Sequence, residues 1–409
     1  MAASQTKRVR VDGDTNGDGV ASSVVLVAER AVALPADIGQ PSAIAAWAPF
    51  AETHAALVVG TDGGGIAVLR DDGSATVLEA AGGAAIQALL AKAPTGAAAG
   101  ADPMPMPDVV AGDADGNVTV YTVGRRFSRT ALPAPVSALA ADTNPNAPSS
   151  FLVGDMGGAV ASCHAQETIW RAHIDTATAA AGSLRVAPPV GQADPVVTAV
   201  CSVWQADKHG LLTNYVLVAS GHGHVQLLSR GVPVHTIPLA CVCTALCPGV
   251  FVGRGRDTDD RRIGSGAVQA ILGDESGRLF LLDNFELVPY ARLDHPIVRV
   301  AALPLQSPGS GGGGASAVDA VVCQTSSDTV FVLHSGRVVA TYTADFWPAL
   351  VGVAAEFGGA GPVLAVADSG EMDYNGSNGG GGGGGGGSGG SGGASIHIVP
   401  LRPLLDSIG

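Results

Sequence analysis

One pattern recurs seven times along this sequence: a run of small aliphatic residues, a turn rich in Gly, Asp and Ser, and a second apolar run. Five copies are clear, at 57–66 (LVVGTDGGGI), 109–118 (VVAGDADGNV), 152–160 (LVGDMGGAV), 217–225 (LVASGHGHV) and 271–279 (ILGDESGRL). Two degenerate copies follow at 321–330 (VVCQTSSDTV) and 363–370 (VLAVADSG). The anchor positions before the turn are Gly60, Gly112, Gly154, Ala219, Gly273, Gln324 and Ala367, spaced 42 to 65 residues apart. That period holds four short strands, the unit of a propeller blade, and such a unit buries its apolar faces only by stacking on its neighbours. The pattern predicts an all-β chain folded as a single seven-bladed β-propeller.

A second element precedes each copy: 42–47 (SAIAAW), 85–90 (AIQALL), 136–140 (VSALA), 197–203 (VTAVCSV), 242–246 (VCTAL), 297–302 (IVRVAA) and 350–354 (LVGVA). Small side chains suit innermost strands crowded around an axis. The following Val/Leu run reads as a strand buried on both faces. The third strand, such as 118–121 (VTVY), is expected to have a wetter outer side. The turn glycines supply the positive φ of a tight hairpin. The last blade shows three strands, ending at 396–399 (IHIV), and lacks a fourth. The apolar runs 23–28 (SVVLVA) and 31–34 (AVAL) precede the first inner strand without a partner. Joining the two ends removes two open sheet edges, so an N-terminal strand is expected to complete the seventh blade. The resulting layout is a flexible tail over 1–22, a propeller over 23–401 and a C-terminal tail over 402–409. The Gly/Ser tract 376–394 is expected to be a disordered insertion in the seventh blade. Further loops are read at 93–107, 254–262 and 308–315.

Composition narrows the function classes. Formal net charge is −14 and charged residues make up only 14% of the chain. So few Lys and Arg argue against a surface that tracks phosphates, and nucleic acid is excluded as an expected partner. Glu29 and Arg30 interrupt the longest early apolar run, which argues against a membrane span and a secretory signal. Six irregularly spaced cysteines fit a reducing compartment better than a disulfide framework. A soluble, cytoplasmic protein is expected.

The residues that could carry chemistry are few. Asp14, Asn16, Asp18 and Gly19 match the start of a calcium loop, with Ser22 where a closing acid would stand. The preferred reading is a solvated acidic turn with no metal. Cys241, Cys243 and Cys247 alternate along a strand and could present soft ligands on one face, but small buried thiols in an inner strand are the preferred reading. His222 and His224 occupy a hairpin turn and read as solvated. Lys7 to Arg10 is a fragment of a nuclear import signal or a basic tail. The residues at the starts of the inner strands are Ser42, Ala85, Val136, Val197, Val242, Ile297 and Leu350, so no ring of acids or His lines the axis. None of Trp47, Trp170, Trp204 and Trp347 recurs at the blade period, which removes a quinoprotein reading. The sequence therefore predicts no catalytic, cofactor-binding or metal residues, and no enzyme.

The strand–turn–strand wording resembles the degenerate FG-GAP and WD-like propellers of intracellular scaffolds. No Trp-Asp dipeptide ends a blade. Residues 57–72 (LVVGTDGGGIAVLRDD), 329–340 (TVFVLHSGRVVA), 396–399 (IHIV) and 401–405 (LRPLL) are similar to the integrin-alpha FG-GAP repeat-containing family associated with the KICSTOR complex. That resemblance implies a seven-bladed, non-catalytic subunit that helps recruit a repressor of the target-of-rapamycin kinase to lysosomal membranes. Residues 216–227 (VLVASGHGHVQL) and 243–248 (CTALCP) are similar to the propellers of BBSome coat subunits in ciliary trafficking. Both resemblances imply other protein subunits as partners. An ion-dependent propeller receptor or enzyme is the alternative from a different class.

Overall fold

The computed structural model describes residues 24–35, 37–47, 56–91, 109–122, 124–144, 150–165, 167–174, 196–206, 211–251, 268–283, 285–304, 318–354, 362–368, 394–402 and 404. The Gly/Ser tract up to residue 393, the acidic motif at 14–22, the basic tail and most of the other long loops lie outside them. The fold is a seven-bladed propeller in which each blade is an antiparallel meander. Blades 1 to 6 span residues 41–79, 86–131, 136–173, 197–238, 243–292 and 297–343. Blade 7 takes three strands from 348–400 and its fourth from Arg30–Ala33, which pairs antiparallel with Ser395–Pro400. The expected N-terminal closure is thus the observed one. The short strand Val24–Val25 does something the sequence did not announce. It pairs parallel with Arg337–Thr343 as a fifth strand on the outer edge of blade 6.

There is no single core. The buried apolar residues form seven clusters among the described residues, and each cluster joins two successive blades. The N-terminal segment enters two of them: Leu26 packs between blades 6 and 7, and Val32 and Leu34 pack between blades 7 and 1. Leu401, and with it Leu404 from the expected C-terminal tail, is fully buried between blades 6 and 7. Fully burying one such side chain stabilises by roughly 1.5–3 kcal/mol. This short segment therefore closes the ring by packing as well as by strand pairing.

The anchor positions show how blades interlock. A β-carbon on Gly60 would stand 2.5 Å from Ile86 Cγ2, and one on Gly273 would stand 2.5 Å from Ile297 Cγ2. Gly112 and Gly154 are covered as closely by Val136 and Val197. In each case the covering residue is the first of the next blade's inner strand. Where the anchor is Ala219 instead, the next blade begins with the smaller Cys243, and both lie in the cluster between blades 4 and 5. Where it is Gln324, its Nε2 donates to the Pro348 carbonyl oxygen at 2.8 Å, so a hydrogen bond replaces the apolar contact.

Every inner strand carries a register shift directly after that first residue, at Ser42, Gln87, Ser137, Thr198, Thr244, Val298 and Ala349. A bulge reverses the alternation of faces beyond it. The third strands of blades 5 to 7 alternate between buried and part-exposed residues as expected, whereas those of blades 1 to 4 are buried on both faces. Val118, Thr119, Val120 and Tyr121 are all buried, and it is the fourth strands that carry the exposed face. Third strands are sandwiched between neighbouring blades, while fourth strands form the rim. The rim edges are blunted by Arg125, Arg126 and Arg129 in blade 2, Pro233 in blade 4 and Pro289 in blade 5.

The interlock predicts a coupling. Gly112→Ala forces a methyl against Val136 and should cost about 1–3 kcal/mol. Adding Val136→Cys rebuilds the Ala219–Cys243 pairing and should recover part of that loss. The coupling should be about 0.5–3 kcal/mol in a urea-unfolding double-mutant cycle. Additive effects would show that the two positions do not share a packing site.

Candidate functional site

The meander places the hairpins between second and third strands, and the connections into each inner strand, at one end of the propeller. The acids of the repeated turns sit here, and they are occupied. Asp113 Oδ1 accepts the backbone N–H groups of Asp115 and Asn117 at 3.0 and 2.8 Å. Asp155 Oδ1 does the same for Gly157 and Ala159, and Asp274 Oδ1 for Ser276 and Arg278. Thr61 and Ser220 fill the role with hydroxyl oxygens. The φ of +84° at Gly116 and +81° at Gly277 closes these hairpins, as expected for glycine. Arg129, Arg171 and Arg278 then pair with the outer carboxylate oxygens at 3.3, 3.8 and 2.8 Å. These carboxylates hold backbone and balance arginines, so they are hairpin braces rather than open ligands.

The same end surrounds the axial channel, a cavity of about 380 Å³ lined by residues from all seven inner strands. The bulge residues tie it into a belt. Ser42 Oγ donates to the Ile86 carbonyl oxygen at 2.6 Å, Thr198 Oγ1 to that of Cys243 at 2.6 Å, and Thr244 Oγ1 to that of Ile297 at 2.5 Å. Each bond runs from one blade to the first inner residue of the next. Ser137 Oγ, at the equivalent place in blade 3, is buried without a partner among the described residues. Beyond the bulges the walls are mostly Ala, Val and Leu, with Arg299 and Gln324 as the polar residues. Arg299 is the only charged residue in the seven inner strands. At this end of the propeller Trp347, directly before the inner strand Pro348–Ala354, is 61% exposed, while Met156 in a blade 3 hairpin and Val298 on the channel are each 41% exposed.

A second cavity of about 380 Å³ lies between the outer parts of blades 1 and 2. Its charges are matched internally: Tyr121 OH donates to Glu79 Oε2 at 3.1 Å, and Arg126 pairs with Glu79 at 3.8 Å. Burial, reinforced by Glu79, holds the Tyr121 phenol far above its ordinary range.

The residues singled out from sequence separate in the structure. Cys241 precedes the inner strand Cys243–Gly249. The bulge at Thr244 then turns Cys243 toward blade 4 and Cys247 toward blade 6, so the thiols do not share a face. Burial pushes both thiols up to about 12, which keeps them protonated. Among the described residues no group of three or more His, Cys, Asp and Glu is placed to hold a metal ion. His224 is not solvated as expected but 3% exposed, with Ser220 Oγ 3.3 Å from its ring nitrogens. It stands where Asn117 stands in blade 2, at the fourth residue beyond the turn-bracing side chain. Arg299 was visible in the sequence but masked by the apolar residues around it; the signal was a charge inside a segment read as apolar.

Neither a family model nor a curated protein matches this chain. Solved structures do. A chain of the crystal structure of BBS1N in complex with ARL6DN, soaked with mercury, is similar with a TM-score of 0.60 at 10% identity, covering 93% of this chain and 97% of that one. A chain of the crystal structure of the mitotic checkpoint complex is similar with a TM-score of 0.54 at 11% identity, covering 97% and 98%. At such identity the likeness establishes the propeller fold and its blade count alone.

The buried imidazole makes stability depend on pH. Burial, and secondly the neighbouring His222, lower His224 from its ordinary value of 6.5. Below pH 6.5 the unfolded chain takes up a proton that the folded chain does not. The stabilisation is therefore complete above that value and falls as pH drops beneath it. His224→Asn copies blade 2 and removes the titrating group. Melting temperature between pH 7.5 and 5.5 should fall less steeply in this variant than in the parent. Equal slopes would show that His224 does not contribute.

Proposed function

We propose that this chain is a non-catalytic propeller subunit of a multiprotein complex, presenting the end that bears the inner-strand connections to protein partners. The observation that carries this reading is the exposure of Trp347, Met156 and Val298 at the end of the ring where the turns of blades 1 to 5 are braced by side chains. Trp is enriched among the residues that dominate binding energy at protein interfaces, and Trp347 is the one tryptophan among the exposed large apolar residues described. The turn carboxylates, which a catalytic reading would draw on, are engaged by backbone N–H groups and arginines. The similar solved chains come from assemblies, namely BBS1N with ARL6DN and the mitotic checkpoint complex, which supports a role in protein association.

Within that role, regulation of the target-of-rapamycin kinase through a KICSTOR-like assembly is the first pathway proposed, on the resemblance carried by residues 57–72 and 329–340. Ciliary trafficking is the second, on the resemblance of residues 216–227 and 243–248. A cytoplasmic location, with recruitment to a lysosomal or ciliary membrane through partners and with nuclear import open to the basic tail, accompanies both. It is supported by six unpaired cysteines.

Affinity purification of the tagged chain with mass spectrometry separates the two pathways, because their complexes have different members. Trp347→Ala should reduce recovery of the direct partner at least tenfold, equivalent to a loss of about 1.4 kcal/mol or more. Its melting temperature should stay within a degree or two of the parent, because the side chain is exposed. Undiminished recovery with Trp347→Ala and Met156→Ala combined would place the partner elsewhere on the propeller.

A further inference from the structure

The inner strands repeat one position with near uniformity. Directly after the bulge stand Ala43, Ala88, Ala138, Ala199 and Ala245 in five blades, Leu350 in the seventh and Arg299 in the sixth. A small residue is what the crowded axis calls for, so an arginine here departs from the packing logic of the ring. Arg299 lines the axial channel. Among the described residues it makes no hydrogen bond or ion pair. The other cations of blades 2, 3 and 5 that face the turn carboxylates are each paired, as Arg129, Arg171 and Arg278 are.

The described residues of the channel supply no carboxylate to neutralise this charge. Loss of water lowers the affinity of Arg299 for its proton, and no carboxylate acts on it in the opposite direction. Arginine nevertheless stays charged inside proteins, so the group that relieves it must be an anion or an acceptor. Directly across from it in register is Gln324, whose Nε2 is held by the Pro348 carbonyl and whose buried Oε1 has no partner. Ser137 Oγ is another unsatisfied polar atom on the same channel. A guanidinium presents paired N–H donors whose spacing matches two oxygens of a carboxylate or phosphate.

We propose that the axial channel is an oxyanion site in which Arg299 binds a carboxylate or phosphate group. The channel volume of about 380 Å³ admits either as a small molecule, and an acidic side chain could reach the same donors from outside. This site goes beyond the scaffold role and does not depend on which pathway the chain serves.

The test uses the full chain at pH 7.5 and constant ionic strength, with chloride, inorganic phosphate or acetate as the variable anion. Melting temperature is read against anion concentration for the parent, Arg299→Ala and Arg299→Lys. The alanine variant should fold, since five blades already carry Ala at this position. In the parent a saturable rise of several degrees is expected with phosphate, acetate or both, following the occupancy of the site. Arg299→Ala should lose the rise, and Arg299→Lys should retain a weaker one. A response to phosphate alone assigns a phosphoryl group, and a response to acetate alone assigns a carboxylate. Equal rises in the parent and Arg299→Ala would be a general salt effect and would overturn the site. So would the absence of any saturable rise, which would leave Gln324 Oε1 as the natural partner of the guanidinium.

Discussion

The close approach of each inner strand to the sheet before it is the contact on which the ring depends. A glycine in the second strand leaves a gap, and the β-branched residue that opens the next blade fills it. Interiors packed as densely as crystals tolerate little mismatch, so the two positions are linked in volume. The chain shows the linkage in its own variation: Gly is matched by Ile or Val, Ala219 by Cys243, and Gln324 by a hydrogen bond to Pro348. This explains why a thiol stands at Cys243. It is the reduced volume that an alanine anchor permits, and metal chemistry is not needed to account for it.

A closed array has a further requirement. Open repeat arrays need polar caps at their ends, whereas a ring has no ends only if the first and last units meet. Here the meeting is made by one N-terminal segment acting at two successive interfaces. Leu26 enters the junction of blades 6 and 7, and Val32 and Leu34 enter the junction of blades 7 and 1. Val24–Val25 covers the outer edge of blade 6 on the way. Closure is thus a side-chain contact as much as a backbone one, and it joins parts of the chain nearly as far apart in sequence as possible.

Much of this was legible because the blade period, the small residues of the inner strands and the unpaired strands at the two ends all survive in sequence. What was hidden follows from the bulges. Reading Cys243 and Cys247 on one face assumes strict alternation, and the bulge at Thr244 breaks it. A polar residue in five of the seven inner strands, at Ser42, Gln87, Ser137, Thr198 and Thr244, was the available signal. It was not decodable alone because the hydroxyl partners are carbonyls of another blade. Burial of the third strands of blades 1 to 4 was misjudged for a related reason: alternation reports one sheet's two faces, and both faces there meet neighbouring blades. The parallel pairing of Val24–Val25 left no mark, since two valines fit many edges. His224 looked solvated because its turn is at the surface, yet its ring turns inward to Ser220.

In a fold built from repeats, residues that recur serve the repeat. The turn acids illustrate this, for they recur in blades 2, 3 and 5 with the same backbone donors and an arginine each. An acidic chain therefore does not imply an acidic active site. The informative positions are those where the repetition fails without a packing reason. The Ala219–Cys243 and Gln324–Pro348 exceptions have such a reason, because each change is compensated across its interface. Arg299 has no such compensation among the described residues, and Trp347 stands in water where a connecting turn needs no large ring. One lines the channel and the other directly precedes an inner strand. The ring's irregularities thus fall at a single end of the propeller, the same end at which side chains brace the hairpins.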